Sequence, residues 1–116
     1  MTTLGRYLRK RREALQASDP EFSLRKVAES ASVSPAFLSR LERDEASAGE
    51  ETTRRLAEIL DEDPDVLMAL SGKVSTELMS IIQSRPVLFS ELIRELKHAP
   101  DDAILRVVRE VRDGDW

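Results

Sequence analysis

Residues 23–43 read SLRKVAESASVSPAFLSRLER, and this stretch decides the fold. Two apolar patterns with helical spacing run through it, and a serine, Ser23 or Ser34, stands directly before each of them. A serine at such a position caps a helix by accepting a hydrogen bond from one of its first N–H groups. Pro35 suits the first position of the second helix, because the N–H that proline lacks would have no partner there. The sequence therefore predicts two short helices joined by a tight turn at residues 31–33.

The two predicted helices must cross steeply, because the turn between them is so short. Five apolar side chains fill the angle between the helices: Val27, Ala28, Val33, Leu38 and Leu41. Among these, Ala28 is small enough to let the second helix come close. The crossing makes the N-terminus of the second helix protrude, where it can enter a DNA major groove about 12 Å wide. The pair therefore predicts a DNA-binding helix-turn-helix.

Further helical patterns surround this pair. The helices predicted for the N-terminal region lie at residues 3–16, 24–30, 35–42, 50–60 and 64–70. Pro20 separates the first two, because proline disfavours helix at the residue before it. Gly72 suits the left-handed cap that follows the fifth helix. We therefore expect a DNA-binding domain over residues 1–72 and a helical module over residues 73–116.

The stretch quoted above resembles the helix-turn-helix of the lambda-repressor/Cro-like (XRE) family of transcription regulators. The matching residues are Val27-Ala28, Val33-Ser34 and Leu38-Ser39-Arg40-Leu41-Glu42. The resemblance extends from Leu4 to Leu70, the five-helix extent usual for that family. It implies an all-α fold with a five-helix lambda-repressor-like domain, and the function of a transcriptional repressor that binds double-stranded DNA.

Three features depart from the family pattern. Leu24 stands where the family often has a glutamine that meets a phosphate, so that contact is lost or moved. Ser32 stands where the family often has glycine; the turn there tends toward a positive φ, which strains a serine by about 1 kcal/mol. The link at residues 17–22 is longer than usual. We expect the fold to tolerate all three departures.

The resemblance also implies which residues contact DNA: Arg25, Ser34, Pro35, Ala36, Phe37, Ser39, Arg40, Arg43 and Ser47. Pro35, Ala36 and Arg40 match the positions that face base edges in such repressors, and Ser34, Phe37 and Ser39 lie beside them. Arg40 is the expected specific reader, because a guanidinium can pair bidentately with guanine. Arg25, Arg43 and Ser47 suit phosphate contacts, which position the protein without reading sequence. For Phe37, ordinary core packing is the alternative interpretation.

Glu42 ends the second helix of the motif. It resembles the family's buried acid, which pairs with an arginine of the first helix. We expect Arg12 to be the partner, with Arg9 as the second choice. The alternative is that Glu42 is an exposed acid on the helix surface.

The net charge of −4 argues against nucleic-acid binding, but the charge is unevenly distributed. Residues 1–43 hold nine Lys/Arg against five Asp/Glu, a net charge of +4. Residues 44–72 carry −7 and residues 73–116 carry −1. A polyanion responds to the face it meets, because charges more than about 10 Å away are screened at moderate salt. The basic segment that carries the motif is therefore suited to DNA.

Residues 73–116 show three further helical patterns, separated at Pro86 and Pro100. Their apolar stripes are too wide for three short helices to bury among themselves, and helices of about ten residues are marginal alone. We expect them to form a homodimer contact through Leu88, Phe89, Leu92, Ile93, Leu96, Ile104, Leu105 and Val108. The alternative is that these helices only cover the N-terminal core.

The composition argues against several other classes of protein. Cysteine is absent, so we expect no disulfide, no thiol nucleophile and no zinc–thiolate site. No motif indicates another metal site or a cofactor, and we expect neither. No apolar run reaches the roughly 18 residues of a membrane span, and no signal-peptide pattern opens the chain, which favours the cytoplasm. His98 suits a helix end, and the acids at residues 61–65 lack the spacing of a calcium loop. No catalytic residues stand out, and we do not expect an enzyme.

A two-fold dimer would bind a palindromic operator whose half-sites lie about one helical turn apart. The layout is similar to autoregulatory repressors of phage, defence and stress operons, some of which a partner metallopeptidase inactivates by cleavage. Two other classes stay open: the antitoxin of a toxin–antitoxin pair, and a protein-interaction adaptor that no longer binds DNA. Induction by a small molecule also stays open.

Overall fold

The computed structural model describes residues 2–116, and every regular element within that range is helical. The α-helices are α1 (Leu4–Gln16), α2 (Leu24–Ser30), α3 (Pro35–Glu42), α4 (Glu50–Leu60), α5 (Pro64–Leu70), α6 (Thr76–Ser84), α7 (Pro86–Leu96) and α8 (Asp101–Asp113). The all-α fold predicted from the sequence is confirmed. The ends of α2, α4 and α5 fall where the sequence predicts them.

The helices divide into two compact units, with the boundary between Leu78 and Met79. The first unit contains α1 to α5 and the start of α6. Thr76, the first residue of α6, is held on this unit because its backbone N–H and its hydroxyl donate hydrogen bonds to Glu50 over 2.8 and 2.6 Å. The expected domain boundary at Gly72 lies before this contact and stays a prediction. Gly72 itself has a φ of 82°, in the left-handed region that favours glycine.

Polar side chains cap helices of the first unit at Ser23 and Ser34, where the sequence predicts caps, and also at Asp63. The hydroxyls of Ser23 and Ser34 each accept the N–H three residues onward, over 3.2 and 3.0 Å. Asp63 caps α5 by accepting an N–H over 2.9 Å. Each cap satisfies a donor that has no partner within its own helix. The caps therefore fix where α2, α3 and α5 begin.

The first unit has one apolar core, to which all five of its complete helices contribute. Its largest fully buried side chains are Leu8, Val27, Leu38, Leu41, Leu56, Leu60 and Leu67. Ala28 is also fully buried, and Val33 packs against the core while half-buried. Burying one aliphatic side chain stabilises the folded state by about 1.5–3 kcal/mol. Because α2 and α3 are too short to be stable alone, this core holds them in place.

The turn between α2 and α3 is closed by two backbone hydrogen bonds. The N–H of Val33 donates to the carbonyl of Ala28 over 3.0 Å, and that of Ser32 donates to Glu29 over 3.1 Å. Ser32 has a φ of 60°, so the positive φ expected at this position is confirmed. The serine therefore occupies a left-handed conformation that glycine would adopt at lower cost.

The long link between α1 and α2 contains a short 3₁₀ helix, Pro20–Phe22, which is not predicted from the sequence. Asp19 caps it by accepting the N–H of Glu21 over 3.0 Å. Phe22 packs against the core, and its carbonyl accepts a hydrogen bond from Arg12 over 3.3 Å. The extra residues of the link are therefore built into the domain.

Helices α1 and α3 touch at Gly5. A β-carbon at this glycine would lie 2.6 Å from the carbonyl oxygen of Leu41, so a larger residue would push the helices apart. Asp44, just after α3, strengthens the junction: its carboxylate accepts the N–H of Gly5 over 3.0 Å and the hydroxyl of Thr3 over 2.7 Å. The loop after α3 is thus fastened to the start of α1.

Candidate DNA-binding surface

Helix α3 has an outer face and an inner face. Ala36, Arg40 and Arg43 are exposed and follow each other at intervals of four and three residues, which places them along one side of the helix. Leu38 and Leu41 lie on the opposite side, where they are buried in the core. The helix therefore offers a ridge that carries two arginines, backed by apolar packing.

A buried ion pair joins α3 to α1. The Nε atom of Arg12 donates to Oε2 of Glu42 over 2.6 Å, and Nη2 donates to Oε1 over 3.0 Å. Both residues are buried, and Arg12 Nη1 also reaches the side-chain oxygen of Gln16 over 3.0 Å. The hydrogen bonds to Glu42 raise the pKa of the Arg12 guanidinium above its usual value. The predicted partnership is confirmed, and the alternative of an exposed acid at Glu42 is wrong.

A shallow cleft beside this ion pair extends the surface beyond α3. It encloses about 170 Å³ and is lined by Arg9, Arg12, Leu24, Ser39, Glu42 and Arg43. The sequence indicates Arg9 only as a second-choice partner for Glu42. The structure instead places it at the cleft, where it pairs with Glu13 over 2.9 Å. Its spacing of three residues from Arg12 is the signal that could have placed both arginines near one face of α1.

The residues predicted to contact DNA fall into two groups by exposure. Exposed in the structure are Arg25, Ser34, Pro35, Ala36, Arg40, Arg43 and Ser47. Half-buried are Phe37 and Ser39, and Phe37 packs against the core, as its alternative interpretation proposed. Ser34 uses its hydroxyl as the cap of α3. The roles of these residues in DNA binding stay predictions.

The arginines of this surface differ in their partners. Arg43 forms an ion pair with Glu45 over 2.9 Å, and its Nε also donates to the carbonyl of Ser39 over 3.3 Å. Arg25 and Arg40 form no ion pair with any residue of the described range 2–116. Arg25 and Arg40 are therefore exposed without an acidic partner in that range, whereas Arg43 is paired with Glu45.

Leu24 occupies the first position of α2, where the family often has a glutamine. Its side chain is half-buried and packs against the apolar core. It also forms part of the cleft next to Ser39 and Arg43. The leucine therefore adds packing at a place where a glutamine would add a hydrogen bond to phosphate.

Comparison with known families decides the class of this protein. Residues 3–70, more than half of the chain, match the family described as "Helix-turn-helix domain". The chain belongs to this family. The predicted helix-turn-helix protein is thereby confirmed, and the assignment suggests a DNA-binding regulator, in a family that is typically not enzymatic. Neither the curated proteins nor the solved structures yield a match.

The rest of this helix-turn-helix protein adds few other candidate sites. Within the described part of the chain, no grouping of His, Cys, Asp and Glu side chains could hold a metal ion. No helix formed by residues 2–116 combines the length and apolar character that crossing a bilayer requires. The residues predicted to form the dimer lie on α7 and α8: Leu88, Leu92, Ile93, Leu105 and Val108 are exposed, while Phe89, Leu96 and Ile104 are half-buried.

Proposed function

We propose that this protein is a sequence-specific transcriptional repressor that binds a palindromic operator as a homodimer and represses its own operon. The observation that carries the proposal is the outer face of α3, where Ala36, Arg40 and Arg43 are exposed on a helix held by a buried core. The Arg12–Glu42 pair fixes the same helix to α1. A rigid, protruding, basic helix is the element that reads the major groove in helix-turn-helix proteins.

Arg40 is the proposed reader of sequence. It is exposed and free of an acidic partner within residues 2–116, so its guanidinium can form two parallel hydrogen bonds to one guanine. Pro35 and Ala36 offer no strong hydrogen-bond donor, and we assign them contacts with thymine methyl groups or with DNA shape.

Phosphate contacts are proposed for the residues around α3. Arg25 lies on α2, Ser47 lies on the loop after α3, and both are exposed. Arg43 and Arg9 line the cleft between α1 and α3, and both already have an exposed acidic neighbour. Such contacts supply affinity and register but do not distinguish sequences.

The proposed dimer rests on the second unit. Of residues 79–116, all of which are described, none is buried. Apolar side chains of α7 such as Leu88 and Ile93 are more than half exposed, at 63% and 54%. Large exposed apolar faces mark sites where another molecule docks. A second copy of the chain would cover these faces and bring two DNA-binding units to one operator.

The test is a binding titration at several salt concentrations, using the DNA directly upstream of the coding region. We expect log affinity to fall linearly with log salt, because phosphate contacts release counterions. Footprinting of the same fragment should show two half-sites related by a two-fold axis and separated by about one helical turn, or 10–10.5 bp. A salt slope near zero would instead indicate an adaptor that no longer touches DNA.

A further inference from the structure

Helix α8 has an apolar stripe that is open to solvent. Leu105 and Val108 lie on it, and half of each side chain is exposed. Ile104 and Val107, on the neighbouring side of the same helix, are half-buried. The helix thus has a packed side and, beside it, a side whose apolar residues are left exposed by the other helices of residues 79–116.

A charged residue lies at each end of this exposed stripe. Asp101, Leu105, Val108 and Arg112 follow one another at intervals of four, three and four residues. At 100° per residue these four positions fall within about 60° of the helix circumference, so they share one face. Asp101 and Arg112 are both exposed, and the one described ion pair of Arg112 is with its chain neighbour Asp113, over 3.4 Å.

The stripe is complementary to itself. The spacing between its four residues is four, three and four, which is the same read from either end of the helix. A two-fold axis that passes midway between Leu105 and Val108 therefore places each of the four residues opposite another of the four on the second copy. Asp101 then faces Arg112 of the second copy, and Leu105 faces Val108. A two-fold interface requires this kind of self-complementarity, because the same patch meets itself. A parallel pairing would place like charges together at both ends of the helix.

We propose that α8 forms the two-fold contact of the homodimer, packed antiparallel against α8 of a second copy, with an Asp101–Arg112 pair at each end. The proposal rests on the dimer inferred above and adds its geometry. The charges also suit the dipole of α8 itself, since an acid favours the first turn of a helix and a base favours the last. An experiment on this contact must separate the two effects.

The test uses the full-length chain and measures the dimer dissociation constant by sedimentation equilibrium at low salt. D101R and R112D each place like charges opposite each other at both ends of the antiparallel pair, so we expect each to weaken the dimer about tenfold. The double variant D101R/R112D restores both attractive pairs and should return to within about twofold of wild type. If the charges act only on the helix dipole, the double variant will be the weakest of the three, and this would overturn the proposal.

D102R is the matched control. It makes the same charge change in the same turn of α8, but about 100° around the helix from Asp101. We expect its dimer to dissociate as the wild type does. Equal weakening by D102R and D101R would overturn the proposed contact.

Mixing the two single variants gives a readout that does not depend on the stability of the double variant. The chain with D101R and the chain with R112D have opposite charges along the stripe, so the mixture should form mostly heterodimers, well above the random share of one half. A random share would contradict contact between the stripes. A wild-type chain that is monomeric would overturn the dimer as well, whereas a wild-type dimer unaffected by either single variant would overturn only the α8 pairing.

Discussion

Two exposed arginines have different proposed contacts with DNA. Arg40, on the outer face of α3, is proposed to contact a base, and Arg25, on α2, is proposed to contact a phosphate. We expect Arg40→Ala to lower operator affinity about 5- to 150-fold and to make binding indifferent to one base pair. The reason is that a bidentate arginine–guanine contact contributes about 1–3 kcal/mol of discrimination. Competition binding against operators that carry each base at each position measures this.

Arg25→Ala is the control for that prediction. A phosphate contact carries no sequence information, so its loss should weaken binding to every sequence equally and make the salt slope shallower by about one. If Arg40→Ala behaves in the same way as Arg25→Ala, then Arg40 contacts only phosphate and another residue reads the operator.

At the scale of a single residue, Glu45 pairs with Arg43 over 2.9 Å. In the proposed complex its carboxylate would lie near the phosphates and would oppose DNA binding. We expect Glu45→Gln to raise DNA affinity by up to about fivefold at low salt, since an exposed ion pair is worth about 0.2–1 kcal/mol. The gain should shrink as salt screens the charges. In the background of Arg43→Ala most of the gain should vanish. An unchanged affinity in Glu45→Gln would argue that Arg43 lies away from the DNA.

At the scale of elements, the Arg12–Glu42 pair locks α1 to α3. Removing one partner leaves a buried charge without compensation, so we expect Glu42→Leu to lower the free energy of unfolding by about 3–5 kcal/mol. The double variant Arg12→Met/Glu42→Leu should recover much of that loss, because apolar side chains can fill the same volume. Urea denaturation of the wild type, of both these variants and of the control Arg9→Met measures the free energies of unfolding. Arg9→Met, which breaks an exposed pair on the same helix, should cost no more than about 1 kcal/mol.

We expect the contact between Glu50 of α4 and Thr76 to depend on pH. The hydroxyl and the backbone N–H of Thr76 donate to Glu50, and these bonds lower the pKa of Glu50 below its usual value. A carboxyl group whose pKa is lower in the folded state stabilises that state above the unfolded-state pKa, and the contribution is lost as pH falls through the folded-state pKa. Glu50→Gln should therefore be less stable than wild type at neutral pH and equal to it in acid.

Glu51→Gln is the matched control for the pH dependence, because Glu51 is the next residue of α4 and its one ion pair within residues 2–116 is with Arg55 on the same helix, over 2.7 Å. We expect its stability to differ little from that of wild type across the same pH range. A Glu50→Gln chain whose deficit persists in acid would mean that the lost contact does not depend on ionisation.

The elements that could be predicted from sequence are those whose signals are local. The serines that cap α2 and α3, and the proline that opens α3, act within three residues, so the starts of these helices follow from the sequence alone. Glu42 and Arg12 are far apart in the chain, and their pairing was predictable only because the motif resembles a known family.

Other contacts could not be predicted, because they depend on how distant segments meet. Asp44 caps the start of α1 from a loop 39 residues away from Gly5, and nothing in its neighbours indicates that role. The cleft that brings Arg9 beside Arg43 likewise needs the crossing of α1 and α3. The 3₁₀ helix at Pro20–Phe22 could not be predicted for a different reason, since three residues are too few to show a hydrophobic period.

At the scale of the whole molecule, the proposed dimer should appear as a dependence of DNA affinity on the number of half-sites. The full-length chain should bind an operator with two half-sites about 10²- to 10⁴-fold more tightly than one with a single half-site, because the second contact becomes intramolecular. A chain ending at Leu78, where the first compact unit ends, should bind both operators with nearly equal affinity per half-site. Light scattering should then report a dimer for the full-length chain and a monomer for the shorter one. If the full-length chain binds both operators with equal affinity, it does not bind two half-sites at once as a dimer. That result would contradict the proposed dimer even if the DNA-binding unit still recognised a single half-site.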